Sequence, residues 1–498
     1  MTGRDLTVAD VAAVARDGRR VALADDAAER MRASLAVIER LVAEGATVYG
    51  VTTGFGDLAN VRIEPGQVAE LQVNLVRSHT AGVGDPLSVD VVRAMLLLRA
   101  NALAVGLSGV RPALAELLCE MLNAEIHPVI PSRGSVGASG DLAPLAHLAA
   151  VLIGEGLADT PTGPMPGGDA LRAARLTPLE LGAKEGLALL NGTQLMTGIA
   201  ALVAHDGQRL AASADVIGAM SLEAMEGTGA AFDEALIGAR PHPGQVAAAA
   251  HLRTLLDQSE IAASHAESPH RLQDAYSLRC MPQVHGAVRD ALDQLERVLN
   301  IEMNAATDNP LVLDGRVVSG GNFHGEPMAL AIDYAKIALA ELASISERRT
   351  ARMVDAHLSG LPAFLSDAPG LRSGLMIVQY TAAALVNELQ TLAHPSSVDS
   401  IPTSANQEDH VSMGATGALH LREVLDRAQT VLAIEALCAA QGLDFRAPMR
   451  PSPGLGRTHA RLRERVPHLA ADRSPAPDIA AARELLVSGD LLAAADGG

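Results

Sequence analysis

The chain of 498 residues has no tryptophan and only four tyrosines and five phenylalanines. Its core must therefore be filled by Ala, Leu and Val, and such small side chains favour closely packed helices. Basic residues are also scarce: 39 Lys and Arg face 58 Asp and Glu, a net charge of −19. That balance excludes the broad basic footprint needed to bind nucleic acid or an anionic membrane surface. Cysteine is limited to Cys119, Cys280 and Cys438, an odd number without CxxC spacing. This fits free thiols in a reducing compartment rather than a disulfide framework. No long hydrophobic run is present, since the most apolar stretch, 142–154, carries Pro144 and His147 and is well short of the ~20 residues a spanning helix needs. No basic and then apolar leader opens the sequence, so the expected location is cytoplasmic.

The length predicts two structural units. Residues 1–45 read as scaffold, with Asp25 expected to cap a helix over 27–41. The motif YGVTTGFG at 49–56 has loop composition, and a tyrosine on a glycine-rich loop is a candidate functional group. Over 66–125, apolar residues such as Met95, Leu98, Ala102 and Val105 recur at helical steps, with His79 near a helix end. A Pro/Gly-rich stretch at 160–169 predicts a surface loop, and Asn191, following a leucine run, is a buried polar side chain in need of a partner. From about residue 195 the texture changes to long Ala/Leu helices, expected at 195–229, 284–303, 328–357, 373–393 and 414–441, the last ended by Gly442. The prediction is an all-α protein with a domain over 1–195 and a long-helix bundle over 196–498, whose proline-rich tail wraps outside.

The most informative stretch is GSVGASGDLAPL at 134–145. An Ala-Ser-Gly triplet by itself is an ordinary turn. A phosphate-cradling loop on Gly134, Gly137 and Gly140 lacks the following Lys-Ser/Thr, and Asp141 would repel an anion. A third possibility is chemical. The Gly140 amide nitrogen can attack the Ala138 carbonyl, closing a five-membered ring, and Ser139 can then lose water to leave an exocyclic methylene. Glycine suits the attacking position because it tolerates the tight backbone that cyclisation demands.

The surrounding motifs favour the third. GSVGASGDLAPLAHLA, together with YGVTTGFG, LLNGTQ, QDAYSLRC, GGNFHGEP and SANQEDHVSMG, resembles the aromatic amino acid ammonia-lyases over residues 40–445. Within them it is most similar to the histidine-specific branch. The resemblance implies a mainly α fold of the fumarase/aspartase-like superfamily, with the tyrosine loop and the prosthetic group in the N-terminal domain. It implies a 4-methylidene-imidazol-5-one built from Ala138, Ser139 and Gly140, with no external cofactor. It also implies a cytoplasmic homotetramer with sites shared between subunits and a small amino acid as substrate. Such an electrophile makes the amine a better leaving group, which no side-chain base alone achieves.

By the same resemblance Tyr49 is the base, a weak one at neutral pH unless its surroundings favour the phenolate. Tyr276 matches the second tyrosine, Asn191 and Gln273 hydrogen-bond near the ring, and Arg279 clamps the substrate carboxylate through its guanidinium fork. Phe323 lines the pocket, although it reads equally well as core packing. His79 and Glu408 mark the histidine branch. Phenylalanine-type relatives carry an apolar residue and a glutamine there, and tyrosine-type ones a histidine one step earlier, where this chain has Ser78. Glu408 can accept from an imidazole N–H, whereas facing a phenyl ring it would be an unpaired buried carboxylate. Thr52 and Arg77 depart from the common pattern around the loop.

The expected reaction is elimination of ammonia from L-histidine to give trans-urocanate, as in histidine degradation. The rivals are a tyrosine or phenylalanine lyase or aminomutase using the same group, and a helical scaffold or binding protein without activity. No metal is expected: His265 and His270 flank Glu267 but are five residues apart with Pro269 between, which does not place two ligands on one helical face.

Overall fold

A core of alanine and leucine lets helices pack along most of the chain. The computed structural model describes residues 1–54, 63–266 and 272–497. Strands among these residues are few and short. The chain forms two compact units, interleaved in sequence: Met1–His205, Leu295–Asp333 and Pro395–Leu419 make the first, and Asp206–Gln294, Tyr334–His394 and His420–Gly498 the second. This differs from a linear division at 195/196, because four long helices contribute residues to both units.

In the first unit the helix Val89–Ala104 is buried from Val91 to Ala104, with Arg93, Arg99 and Asn101 among its buried residues. The helix Val8–Arg16 starts with a reciprocal cap, Thr7 and Asp10 each bonding the other's backbone. Pro112 opens the helix Pro112–Asn123, where its missing N–H costs nothing. Asp25 does not cap the next helix, which runs Asp25–Ala43; the capping position is Ala24, and Asp25 is the first helical residue, where its charge still complements the helix N-terminus. Small antiparallel pairings complete the unit: Val83–Pro86 with Pro131–Arg133, His127–Pro128 with Leu157–Asp159, which also pairs Met165–Pro166, and Leu311–Leu313 with Arg316–Val318. The Pro/Gly-rich stretch at 160–169 thus contains the turn of a short hairpin and its returning strand.

The long helices fall close to their expected places, at Gln194–Ala224, Met281–Glu302, Glu326–Val354, Met376–Leu392 and Gly414–Asp444. Gly442 does not end the last of these. It sits inside the helix, where a Cβ would meet the Ala224 side chain at 2.9 Å and Leu361 at 3.2 Å, so the glycine serves close packing rather than capping. Buried charges tie the second unit together. Asp215 accepts from His285 Nδ1 at 2.7 Å and His251 Nδ1 at 2.9 Å and also holds Arg289, while Glu435 binds Arg349 Nη2 at 2.8 Å and Ser221 Oγ at 2.6 Å. Removing one partner of such a set strands a buried charge. Among the described residues no helix is long and apolar enough to cross a membrane.

Candidate active site

The stretch 134–145 is clamped through its own backbone. Gly137 (φ 69°) and Gly140 (φ 76°) are left-handed, and a Cβ on either would collide, with the Ser412 hydroxyl in one case and the Gly192 carbonyl in the other. Gly140 pairs with Gly192 in an isolated parallel bridge, and the Asp141 N–H donates to the Gly192 carbonyl at 2.7 Å. On the other side Met413 N–H donates to the Val136 carbonyl at 2.8 Å and Ser412 Oγ to the Gly137 carbonyl at 3.1 Å. Ala138 packs with Val136, Val411 and Met413. Ala138 and Gly140 are buried, and Ser139 between them is half-buried.

Asp141 anchors this segment to a long helix. Its buried carboxylate accepts from Leu195 N–H at 2.9 Å and Met196 N–H at 3.1 Å, two unpaired donors in the first turn of Gln194–Ala224, and from Ser135 Oγ at 2.9 Å. Burial pushes its carboxyl up to about 6, against those three hydrogen bonds.

Ser139 faces the end of the segment expected to read the substrate. Its hydroxyl donates to Glu408 Oε1 at 3.1 Å, and Glu408 Oε2 accepts from Thr403 Oγ1 at 2.6 Å. Thr403 and Glu408 also bond through their backbones, closed by a turn in which Ser404, Ala405 and Asn406 are all left-handed. His79 is the last residue of the helix Val68–His79, half-buried, with Nδ1 2.9 Å from the Leu75 carbonyl. The Ser78 hydroxyl lies 3.0 Å from the same Nδ1. Burial lowers the imidazole below its ordinary range, opposed by the Leu75 carbonyl and by the negative charge of Glu408.

Asn191 follows the helix Glu185–Leu190 and is buried; its Nδ2 donates to the Asn309 carbonyl at 3.1 Å, and its Oδ1 has no hydrogen-bond partner among the described residues. Phe323 is half-buried, two residues before Gly325, whose N–H donates to the Gly137 carbonyl at 3.4 Å. Tyr49 is half-buried in a turn stapled by Thr52 Oγ1, which donates to the Ala46 carbonyl at 2.8 Å. Phe55 and Gly56, the end of its motif, lie outside the described residues. Arg77 forms an exposed forked pair with Glu155, Nε lying 3.0 and 3.1 Å from the two carboxylate oxygens.

Gln273, Tyr276 and Arg279 belong to the second unit. Gln273 is exposed, Tyr276 is 70% exposed, and the Arg279 guanidinium lies 4.7 Å from the centre of the Tyr276 ring, a cation–π contact. Arg279 Nε is buried without a hydrogen-bond partner among the described residues. His265 lies within hydrogen-bonding distance of the Gly227 carbonyl, its Nε2 3.1 Å away; Glu267 and His270 lie outside the described residues, among which no group of three or more His, Cys, Asp or Glu is placed to hold a metal.

The structure therefore joins Ser139 and Glu408 directly, brings His79 within the electrostatic influence of Glu408, and reaches Asn191 through Gly192 and Phe323 through Gly325. Residues 6–464 match the aromatic amino acid lyase family. The chain belongs to that family. This lyase is 54% identical over 502 residues to the histidine ammonia-lyase of Anaeromyxobacter sp. (strain K), covering 99% of each chain. It is likewise 54% identical over 491 residues to that of Deinococcus radiodurans, covering 98% of this chain and 94% of the relative. Its fold superposes on the histidine ammonia-lyase of Trypanosoma cruzi with a TM-score of 0.93 at 42% identity, covering 100% of this chain and 94% of that one. The tyrosine aminomutase of Streptomyces globisporus gives 0.94 at 39% identity, covering 99% and 97%. The lyase thus has the helical, fumarase-like fold of these relatives.

Sequence reasoning missed the residues that support the site. Asp141 entered only as a charge hostile to anions, Thr403 not at all, and Gly192 and Ser412 only as parts of motifs. The legible signal was a charge inside apolar surroundings: Asp141 before LAPLAHLA, and Arg99 in LLLRAN.

Proposed function

We propose that this lyase is a histidine ammonia-lyase, a carbon–nitrogen lyase that eliminates ammonia from L-histidine to give trans-urocanate. The observation that carries this reading is the Ser139 hydroxyl resting on the Glu408 carboxylate, whose negative charge also acts on His79; this couples the ring-forming triplet to a carboxylate suited to an imidazole N–H. The backbone fits closure of a ring across Ala138–Gly140: Gly140 is left-handed with no room for a Cβ, and Ser139 alone of the three is open to the site. The methylidene-imidazolone would supply the electrophile that makes the substrate amine a leaving group.

The chain's own residues handle everything else. Glu408 accepts the N–H of the substrate imidazole in a charge-assisted bond at Oε1, the oxygen freed when the Ser139 hydroxyl leaves as water, and a phenyl ring would offer that oxygen no donor. His79, its imidazole held below its ordinary range by burial, offers a second polar contact to the same ring. Arg279 forks onto the substrate carboxylate. Tyr49 takes the β-proton, Tyr276 assists ring chemistry or proton return, Asn191 and Gln273 hydrogen-bond around the ring, and Phe323 lines the pocket.

In this reading residues 1–195 carry the tyrosine loop and the prosthetic group, 196–498 form the bundle, and the enzyme is a cytoplasmic homotetramer with sites shared between subunits. Exposed apolar residues of the second unit support assembly: Tyr334 and Ile337 on Glu326–Val354, and Ile377 and Tyr380 on Met376–Leu392. The cysteines are free thiols, in keeping with a reducing compartment. The test is ultraviolet monitoring of the purified protein with histidine, phenylalanine and tyrosine in parallel, with product identification. Urocanate from histidine alone is expected; cinnamate, coumarate or a β-amino acid as main product would replace this reading with its lyase or aminomutase rivals.

A further inference from the structure

The reactive triplet leans on a buried cation that the chemistry above does not use. Arg99 stands in the helix Val89–Ala104 and is fully buried. Its Nη1 donates to the Asn191 carbonyl at 2.9 Å and to Gln194 Oε1 at 3.0 Å, while Nε and Nη2 have no acceptor among the described residues. The negative charge acting on it, Asp308, is itself bound by Lys184 at 2.6 Å, so two buried cations share one carboxylate. Unpaired buried donors cost stability, so folding alone does not account for this arrangement.

Geometry offers an account. A Cβ on Gly192 would collide with Arg99 Nη1 and Gln194 Oε1, so the Asn191–Gly192 peptide is pressed directly on the guanidinium. The carbonyl on the far side of that glycine accepts from Asp141 N–H at 2.7 Å and occupies the place a Gly140 Cβ would take. Gln194, which shares Nη1, is held in turn by its Nε2 bond to Thr307 Oγ1 at 2.9 Å. From Arg99 to Gly192 to Gly140 the contacts are continuous.

We infer that Arg99 is a positioning residue for ring closure: it holds the Asn191 carbonyl and so fixes Gly192, whose own carbonyl holds Gly140 in the left-handed conformation from which its nitrogen attacks Ala138. The inference rests on the proposed ring. Closure forms the bond from Gly140 N to the Ala138 carbonyl carbon. The Ala138 oxygen leaves as water with the hydrogens of the Gly140 and Ser139 amide nitrogens, and a double bond forms between the Ala138 carbonyl carbon and the Ser139 nitrogen. A second water takes the Ser139 hydroxyl and Cα hydrogen, leaving the methylidene. No outside oxidant or reductant is required.

Intact-mass measurement of the purified full chain tests this without reference to turnover. Wild type should be lighter than its sequence by two waters. Arg99→Lys keeps a positive charge but loses the planar fork; most of its chains should stay at the unmodified mass while circular dichroism reports wild-type helicity. A folded Arg99→Lys protein lighter by two waters throughout would overturn the inference and leave the ring intact as a reading. Wild type at the unmodified mass would overturn the ring itself, and the inference with it. Should Arg99→Lys not fold, Gln194→Leu decides, because it removes one acceptor of Nη1 and keeps the guanidinium: a substantial unmodified fraction supports the positioning role, and complete loss of two waters contradicts it.

Discussion

Two stretches proposed to meet the same substrate are built in opposite ways. Residues 134–145 are held on both sides through their own backbone, which donates to the Gly192 carbonyl and accepts from the Ser412 hydroxyl and the Met413 N–H, and Asp141 ties them to a helix N-terminus. Residues 272–279 present Leu272, Gln273 and Tyr276 to solvent, with Arg279 lying over the Tyr276 ring. An electrophile made from the backbone must have its backbone immobilised before any chemistry occurs, whereas side chains that handle a substrate need only be in place when it binds. The exposure of Tyr276 within one chain is also what the proposed site, completed by a second copy, would leave.

This contrast can be broken from either side. Ser139→Ala should fold as wild type yet lose nearly all turnover, because no dehydration can occur there; activity with L-histidine, followed as urocanate absorbance, checks it, and a fully active variant removes the triplet from the account. Tyr49→Phe should lower kcat by about 10²- to 10⁴-fold, the usual worth of a positioned base, while substrate still binds. Co-expressing the two dead variants should restore part of the activity, since some mixed tetramers hold a site with both groups intact. Mixed tetramers that form and stay inactive would place Tyr49 and Ser139 of each site on one chain.

The specificity pair should have a smaller effect. His79→Leu combined with Glu408→Gln should cut kcat/KM for histidine on the order of 10- to 10²-fold, the cost of losing a charged hydrogen bond, and raise activity toward phenylalanine. Unchanged preference in parallel assays would mean that the ring end of the substrate is read elsewhere.

The smallest effect concerns stability alone. Burial pushes the Glu223 carboxyl up to about 7, against hydrogen bonds from Ser259 and Ser452. A carboxyl raised in the folded state contributes stability that is fully present below its unfolded value of about 4.5 and is lost as pH rises through 7. Glu223→Gln should therefore flatten the stability profile between those limits, on the order of 1 to 3 kcal/mol, without altering turnover. Chemical denaturation across pH reads this directly, and an unchanged slope would assign it to other groups.

Much of this was legible in the sequence because the relevant signals are local. Helix periodicity placed the long helices to within a few residues, and the triplet with its flanking motifs named the family. What was not legible depends on contacts far apart in the chain. Gly442 looks like a helix terminator until Ala224 and Leu361 are seen against it, since a glycine that ends a helix and one that admits a neighbour are the same letter. Asp25 looks like a cap because capping preference does not separate the capping position from the next one. The support of the triplet by Asp141, Gly192 and Arg99 joins segments almost a hundred residues apart, and the interleaving of the units follows from helices that contribute residues to both.

In the proposed reaction a chain-derived electrophile at Ser139 removes ammonia from histidine. Borohydride, which reduces such an electrophile, provides the most direct test: the treated, desalted protein is assayed with L-histidine beside an untreated portion and a chelator-treated one. Loss of urocanate formation after borohydride, with full activity retained after the chelator, is the predicted result. Full activity after borohydride, or chelator-sensitive turnover restored by a metal ion, would contradict the account.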